Sequence, residues 1–195
     1  KDIEKAAEFL KTSLASLIAG EVPIDKLIVT KSIRGNYKDP SRIAHKVLAD
    51  RVGRRDPGNK PGPGDRIPFV YFENENKKTL QGEKIELPSF VIENDLQIDY
   101  AHYITNQVMK PIQQVFALVL ERMKAFKKVK GVTLRRWYKQ LEELRAMFPE
   151  EETYQRRLST IRNREVKNLL FDHYLLRIKN KSNGNNTVAD YFNLE

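Results

Sequence analysis

The sequence predicts an α+β fold, in which a small antiparallel sheet is followed by a mainly helical portion. Two short apolar runs, residues 27–30 and 67–72, have the composition of strands, and turn formers lie between them. From Asp99 onward, apolar residues recur at helical spacing instead. A chain of 195 residues that is 40% apolar can bury one good core or two small ones, and no apolar run approaches the length of a membrane span.

The first predicted strand, residues 27–30, leads into a polar turn. Gly35 and Asn36 supply the turn, because both residue types accept backbone conformations that others avoid. Polar and charged side chains would lie at the mouth of this turn, namely Lys31, Arg34, Tyr37 and Lys38.

A short helix is predicted from Ala44, with Ser41 as its N-cap and Gly53 as its end. Its apolar residues at helical spacing are Ala44, Val47, Leu48 and Val52. The same spacing leaves Arg42, His45, Lys46 and Arg54 toward the other side. These basic side chains should therefore be held on a packed element.

Residues 57–64 are so rich in proline and glycine that they predict a loop. The loop should bring residues 67–72 antiparallel to residues 27–30, with Asp65 and Arg66 at the entry to the second strand. Asp65 is interpreted structurally, as a turn former or as a partner for Arg66.

The second half of the chain is predicted to be helical, with Asp99 as a helix cap and Pro111 as a kink or a new start. The core stripe beyond the proline is Ile112, Val115, Phe116, Val119, Leu120 and Met123. A second stripe, capped by Thr133, is Leu134, Trp137, Leu141 and Leu144. Trp137 is interpreted as packing, with base stacking as the alternative.

Residues 150–179 predict one more helix or a pair of helices. Four arginines in this segment could reach DNA, or they could equally form a solvated helix face with i to i+4 pairs. They are Arg156, Arg157, Arg162 and Arg164.

Basic charge is concentrated between Lys26 and Arg66, where eleven cations stand against four carboxylates. That net charge of +7 is most of the chain's formal +9. Such a concentration is the electrostatic footprint of a phosphate backbone, because each neutralised phosphate releases condensed counterions. A solvated basic face is the general alternative for a charge run.

Four stretches of sequence, taken in order and at their spacing, resemble family B DNA polymerases at the junction of palm and thumb. They are Leu27-Ile28-Val29-Thr30-Lys31-Ser32-Ile33, Ala44-His45-Lys46-Val47-Leu48-Ala49, Gly64-Asp65-Arg66-Ile67-Pro68-Phe69-Val70-Tyr71, and Leu96-Gln97-Ile98-Asp99-Tyr100 with Tyr103-Ile104-Thr105-Asn106-Gln107-Val108-Met109-Lys110-Pro111-Ile112. The resemblance covers roughly residues 1–123 and is similar to both delta-type replicative enzymes and polymerases of large DNA viruses. Delta-type relatives carry C-terminal cysteine clusters, whereas this chain has no cysteine.

The resemblance implies that residues 1–30 are the end of the palm and residues 31–179 the thumb. Within the thumb, residues 31–98 would form a basic mixed junction and residues 99–179 the helical part. The resemblance implies contacts to the primer-template backbone for Lys31, Arg34, Tyr37, His45 and Arg66. The concentration of basic charge adds Lys38, Lys46, Arg54 and Arg55 to the predicted DNA-binding residues. For Tyr37 and His45, an inward hydrogen bond at the edge of the core is the open alternative.

The parent enzyme implied by this resemblance is a DNA-directed DNA polymerase that uses Mg²⁺ in its palm, together with the polymerase's remaining domains. Two-metal nucleotidyl transfer needs paired carboxylates, yet no Asp-x-Asp occurs here and the three histidines lack metal-ligand spacing. This segment alone is therefore expected to be inactive. The start at Lys1, without methionine, indicates a portion of a longer chain, with a split polymerase as the alternative.

The C-terminal tail, residues 180–195, resembles a flexible linker followed by a peptide that binds a sliding clamp of the PCNA type. Its residues at the matching spacing are Asn185, Val188, Tyr191 and Phe192. Asn185 replaces the usual glutamine and is one methylene shorter, while the apolar plug is retained. A tail that folds back on its own thumb is the alternative.

The lack of cysteine fits an intracellular protein, and the resemblance implies a nucleus or a viral replication site. A stand-alone DNA-binding or clamp-adaptor protein without catalytic activity remains the alternative function.

Overall fold

The computed structural model describes residues 2–74, 79–129 and 134–182. The chain forms two compact units. The sheet unit is Gly20–Tyr103, and the helical unit is Lys1–Ala19 together with Ile104–Glu195, as far as those residues are described. The predicted α+β class is confirmed, because a three-stranded antiparallel sheet is accompanied by a larger set of helices.

The sheet has the order β1-β2-β3, with β1 Val29–Ser32, β2 Arg66–Tyr71 and β3 Ile85–Glu86. The predicted antiparallel pairing of the first two strands is confirmed, with Lys31 opposite Ile67. The first strand was predicted two residues too early. Leu27 instead closes a single 3-10 turn, and only the following residues pair with β2.

Helix α2, Ala44–Arg55, packs over the sheet, and both of its predicted caps are wrong. The N-cap position is Ile43, which makes no side-chain hydrogen bond, while Asp39 accepts the N–H of Ser41 and caps a separate 3-10 turn. The helix also continues through Gly53 to Arg55. Pro57 is the physical reason for the later end, because the residue before a proline is pushed out of the helical region.

The rest of the sheet unit consists of α3 Pro88–Glu93, α4 Tyr100–Tyr103 and short 3-10 turns. Asp65 accepts the N–H of Gly62 at 2.8 Å, which confirms its interpretation as a turn former. Between α2 and the sheet lies an apolar core made of Ile33, Leu48, Ala49, Ile67, Phe69 and Ile85.

Tyr103 ties three segments of the sheet unit together. Its hydroxyl accepts the N–H of Tyr71 at 3.0 Å and donates to the carbonyl of Leu27 at 2.8 Å. Burial raises the pKa of Tyr103 to about 12, so the phenol remains protonated and keeps both hydrogen bonds. Asp99 caps α4 through the N–H of His102 at 2.8 Å, as predicted.

The helical unit contains α1 Ile3–Ile18, α5 Met109–Ala117, α6 Lys124–Val129, α7 Leu134–Met147, α8 Glu151–Leu170 and α9 Asp172–Ser182. The kink or new start predicted at Pro111 takes the form of a π turn, Ile104–Val108, directly before α5, and Pro111 itself lies in the first turn of α5. The missing N–H of a proline leaves one helical carbonyl without its partner, which favours such a break. No helix among the described residues is long and apolar enough to cross a membrane.

Part of the predicted helical core is buried, namely Phe116, Leu120, Met123 and Trp137, and most of the other predicted core residues are half-buried. Val115 is the exception, since 62% of its surface is exposed. The packing interpretation of Trp137 is confirmed. Its ring centroid lies 5.4 Å from that of Phe126, and only 4% of the residue is exposed. The predicted cap Thr133 lies outside the described residues.

Candidate nucleic-acid interface

The end of β1 and the turn that follows it carry exposed cations. Lys31, Arg34 and Lys38 all lie at the surface of the sheet unit. No carboxylate of the described residues lies within ion-pair distance of these three side chains. We call them the turn cations. Their positive charge is therefore available to an external partner.

Tyr37 and His45 are joined to each other beneath these cations. The Tyr37 hydroxyl accepts the backbone N–H of Arg34 at 2.7 Å and lies 3.1 Å from Nε2 of His45. The two rings meet edge to face, with centroids 6.0 Å apart. Both side chains are half-buried. This matches the alternative in which they form a hydrogen bond inside the protein at the edge of the core.

The pKa of His45 is lowered, chiefly because burial disfavours the charged imidazolium. The nearby cations Lys31 and Arg34 lower this pKa further, whereas a hydrogen bond to the Ser32 backbone raises it. The net effect favours a neutral imidazole at pH 7.

Three cations of helix α2, Lys46, Arg51 and Arg55, are placed differently, because each lies beside a carboxylate. Lys46 Nζ lies 2.6 Å from Asp50 Oδ1, and Lys60 Nζ reaches the same oxygen at 3.1 Å. The hydrogen bond from Lys46 is the main reason that the pKa of Asp50 is lowered. Lys46, which was predicted to contact DNA, is thus engaged within the protein.

Glu86 is the centre of a second neutralised cluster. Its side chain is 3% exposed, and its Oε2 lies 3.1 Å from Arg51 Nη1 and 2.6 Å from Arg55 Nη2. Arg51 also donates to the carbonyls of Ile85, at 3.2 Å, and Gly82. Every contact in this cluster links α2 to β3 or to the turn before it.

This cluster was not predicted from the sequence. The available signal was a charged residue between two apolar ones, since Glu86 stands between Ile85 and Leu87. A carboxylate at such a position predicts a buried cation nearby, because an unpaired buried charge is very costly.

A cleft of about 380 Å³ opens beside this cluster and includes two residues predicted to bind DNA, Arg55 and Arg66. The guanidinium of Arg55 stacks 3.9 Å above the ring of Phe90. Arg66 is exposed, and no ion pair or hydrogen bond of its side chain is found among the described residues. Arg54, at the end of α2, is exposed as well.

The arginines of α8 are not equivalent. Arg162 pairs with Glu121 at 2.8 Å, and Arg157 lies over the ring of Phe148 at 5.3 Å, whereas Arg156 and Arg164 are exposed. No group of three or more His, Asp or Glu side chains arranged to hold a metal ion occurs in the described residues. The clamp-binding candidates Asn185, Val188, Tyr191 and Phe192 lie outside those residues.

Comparison with known proteins gives a consistent result. The family model described as DNA polymerase family B matches residues 1–119. A DNA polymerase of Pyramimonas orientalis virus is 42% identical over 200 residues, covering all of this chain and 16% of that protein. A DNA polymerase of Acanthamoeba polyphaga mimivirus is 48% identical over 126 residues, covering 62% of this chain and 7% of that protein.

The DNA polymerase delta catalytic subunit of Candida albicans is 34% identical over 124 residues, covering 64% of this chain and 12% of that protein. The chain thus spans less than a fifth of the length of each of these relatives. With more than half of its residues matched by the family model, the chain belongs to DNA polymerase family B.

Proposed function

We propose that this chain is the end of the palm and the thumb of a DNA-directed DNA polymerase, and that it grips primer-template DNA through the phosphate backbone during replication. The observation that carries the proposal is the set of turn cations, Lys31, Arg34 and Lys38, which no carboxylate of the described residues neutralises. Family membership supplies the enzyme class.

Contacts of this kind position a protein on a duplex without reading its sequence, because phosphates are the same at every base pair. The turn cations are suited to that role, since Lys31 lies in β1 and the other two follow it, and the register of β1 with β2 is fixed. Arg54 and Arg66 are exposed too and belong to the proposed surface. Lys46 and Arg55 have internal partners, so we assign them a smaller share.

The division of labour within the polymerase follows from the residues present. We assign residues 1–30 to the palm and residues 31–179 to the thumb, and we place the catalytic carboxylates and their Mg²⁺ ions in palm residues outside this chain. By this assignment the chain alone binds duplex without extending a primer. The working location is an intracellular site of replication, in a nucleus or a viral replication compartment.

The test is duplex affinity as a function of salt, measured by fluorescence anisotropy with primer-template DNA of two unrelated sequences. Affinities should agree for the two sequences. Replacing Lys31, Arg34 and Lys38 together with alanine should flatten the slope of log affinity against log salt by about 2.7, because each lost phosphate contact contributes about 0.9.

The matched control removes the same number of charges from α7, as Arg135→Ala, Arg136→Ala and Lys139→Ala, since all three residues are exposed. This variant should keep a slope close to that of the wild type. Equal flattening in both triple variants would mean that net charge alone governs binding, and the proposed interface would be wrong.

We further propose that the tail binds a sliding clamp, on the sequence pattern of Asn185, Val188, Tyr191 and Phe192. One helical turn would bring the three apolar side chains to one side, as a plug for an apolar pocket. Replacing Tyr191 and Phe192 with alanine should abolish binding to a PCNA-type clamp in surface plasmon resonance and leave duplex affinity unchanged. Unchanged clamp affinity would contradict this assignment.

A further inference from the structure

The turn that carries Arg34 depends on one side chain for its shape. Within the described residues, the backbone from Arg34 to Lys38 makes no hydrogen bond to another backbone group. A methyl group added at Gly35 would meet no atom within 4 Å, so packing does not support the tip of the turn either. The hydrogen bond from the Arg34 N–H to the Tyr37 hydroxyl therefore stabilises the closed shape of this turn.

The hydrogen bonds at this turn form a short network. A backbone N–H only donates, so the Tyr37 oxygen accepts from Arg34. The same oxygen lies 3.1 Å from Nε2 of His45, and we assign the hydroxyl proton of Tyr37 to this nitrogen of the neutral imidazole. The network runs from Arg34 through Tyr37 to His45.

In this network the Arg34 N–H and the Tyr37 hydroxyl already have partners. A phosphate that took the proton of Tyr37 would leave Nε2 of His45 without its donor. A phosphate that bound Nε2 of His45 would displace the Tyr37 hydroxyl from it. Direct phosphate contact by Tyr37 or His45 would therefore break a hydrogen bond that is already made. The ammonium of Lys31 and the guanidinium of Arg34 can bind a phosphate without breaking an ion pair, because neither pairs with a carboxylate of the described residues.

We propose that Tyr37 and His45 are positioning residues, which lock the turn so that Lys31 and Arg34 face one stretch of duplex backbone together, and that neither touches the DNA. This inference rests on the proposed function and names the device that orders the same surface. A turn held in its binding shape loses less conformational freedom when the duplex arrives, and the affinity is higher for that reason.

The experiment is a double-mutant cycle on duplex affinity at one low salt concentration. Tyr37→Phe keeps the packing of the ring and removes the hydroxyl, so it should weaken binding about fivefold in the wild-type chain. In the Lys31→Ala, Arg34→Ala background the same substitution should weaken binding by less than about twofold, because the cations it positions are gone.

Two substitutions of His45 provide a conservative rescue. In His45→Gln the amide oxygen can accept from Tyr37 where Nε2 did, and binding should stay within about twofold of wild type. His45→Leu has similar bulk and no acceptor, so its loss should match that of Tyr37→Phe. Amide hydrogen exchange provides a readout without DNA: the Arg34 amide should exchange faster in Tyr37→Phe and in His45→Leu than in wild type or His45→Gln.

The outcomes separate this inference from the proposed function. Equal losses for Tyr37→Phe in both backgrounds would mean direct contact with DNA and would overturn the positioning role while the interface stands. Unchanged affinity, or unchanged exchange of the Arg34 amide, would overturn it as well. A wild-type chain that fails to bind duplex, or whose binding ignores the turn cations, would overturn the proposed function and this inference with it.

Discussion

Two groups of basic residues in the segment between Lys26 and Arg66 differ in what surrounds them. The turn cations Lys31, Arg34 and Lys38 stand at the surface with no carboxylate partner among the described residues. Arg51 and Arg55 on α2 converge on the buried carboxylate of Glu86. The charges of the first group are exposed to solvent or to a ligand. The charges of the second group form ion pairs that hold α2 to β3.

The difference teaches that a stretch of like charge is not a surface of like charge. Glu86 lies twenty residues beyond the end of the basic stretch, so its effect on Arg51 and Arg55 cannot be counted from the stretch itself. Asp50 neutralises Lys46 and Lys60 in the same way. The positive charge of this stretch that is exposed at the surface therefore comes mainly from the turn cations and from Arg54 and Arg66.

The largest effect is expected from breaking the buried cluster. Glu86→Gln should lower the free energy of unfolding by about 3 kcal/mol, because Arg51 and Arg55 would keep their charges without the buried carboxylate on which both converge. The free energy of unfolding is measured by urea titration monitored by circular dichroism. The control is Glu83→Gln, whose carboxylate is 3.8 Å from the same Arg51 but half exposed, and which should change stability by less than about 0.5 kcal/mol. Similar losses in both variants would contradict the special role of Glu86.

The next effect tests how tightly α2 is seated. A Cβ at Gly82 would lie 2.7 Å from Cβ of Val47, closer than packed atoms allow. Gly82→Ala should therefore lower the free energy of unfolding by about 2 kcal/mol through overpacking. Gly35→Ala in the turn is the matched control and should be close to neutral, since its added methyl meets nothing within 4 Å. A neutral Gly82→Ala would show that this contact yields easily.

A smaller effect compares one cation from each group in DNA binding. Lys31→Gln should reduce the slope of log affinity against log salt by about 0.9, the share of one phosphate contact. Lys46→Gln removes the same charge but one that Asp50 already neutralises, so its slope should stay near that of wild type. Anisotropy titrations at four salt concentrations decide between them. Equal slopes for the two variants would erase the distinction between the groups.

The smallest effect is a pH dependence from His45. Its pKa in the folded chain is lowered, mainly by burial, so the unfolded chain binds the proton more readily. Stability from this group is thus complete above the unfolded pKa of about 6.5 and is lost as pH falls toward the lower folded value. Between pH 7 and pH 5.5 the wild type should lose more stability than His45→Gln, as measured by urea unfolding at each pH. Parallel losses would contradict the shift.

Much of the fold could be predicted because the signals were local. The cap formed by Asp99 and the irregular helix before Pro111 follow from residues close in the chain. The antiparallel pairing of β1 and β2 follows from two strand-like runs, each recognisable locally, with turn formers between them. The ends of α2 could not be predicted equally well, since Ser41 and Gly53 match cap statistics but Asp39 and Pro57 act on the backbone more strongly. Val115 matched the apolar stripe, yet α5 turns it outward.

The candidate interface was predicted in part. Lys31, Arg34 and Lys38 emerge at the surface as the sequence analysis expected, whereas Lys46 and Arg55 have acidic partners. Nothing in the spacing of Tyr37 and His45 revealed that they hydrogen-bond to each other. Such pairs depend on side-chain directions in space, which local pattern rules do not contain.

By itself the sequence determined the family, the class of fold and the segment in which positive charge is concentrated, because these depend on residue type and order along the chain. Only the tertiary structure decided which cations are free and which are neutralised. Glu86 meets Arg51 across 35 residues and Tyr37 meets His45 across eight. Electrostatic energy depends on distance in space and on exclusion of water, and both are set by how the chain folds back on itself.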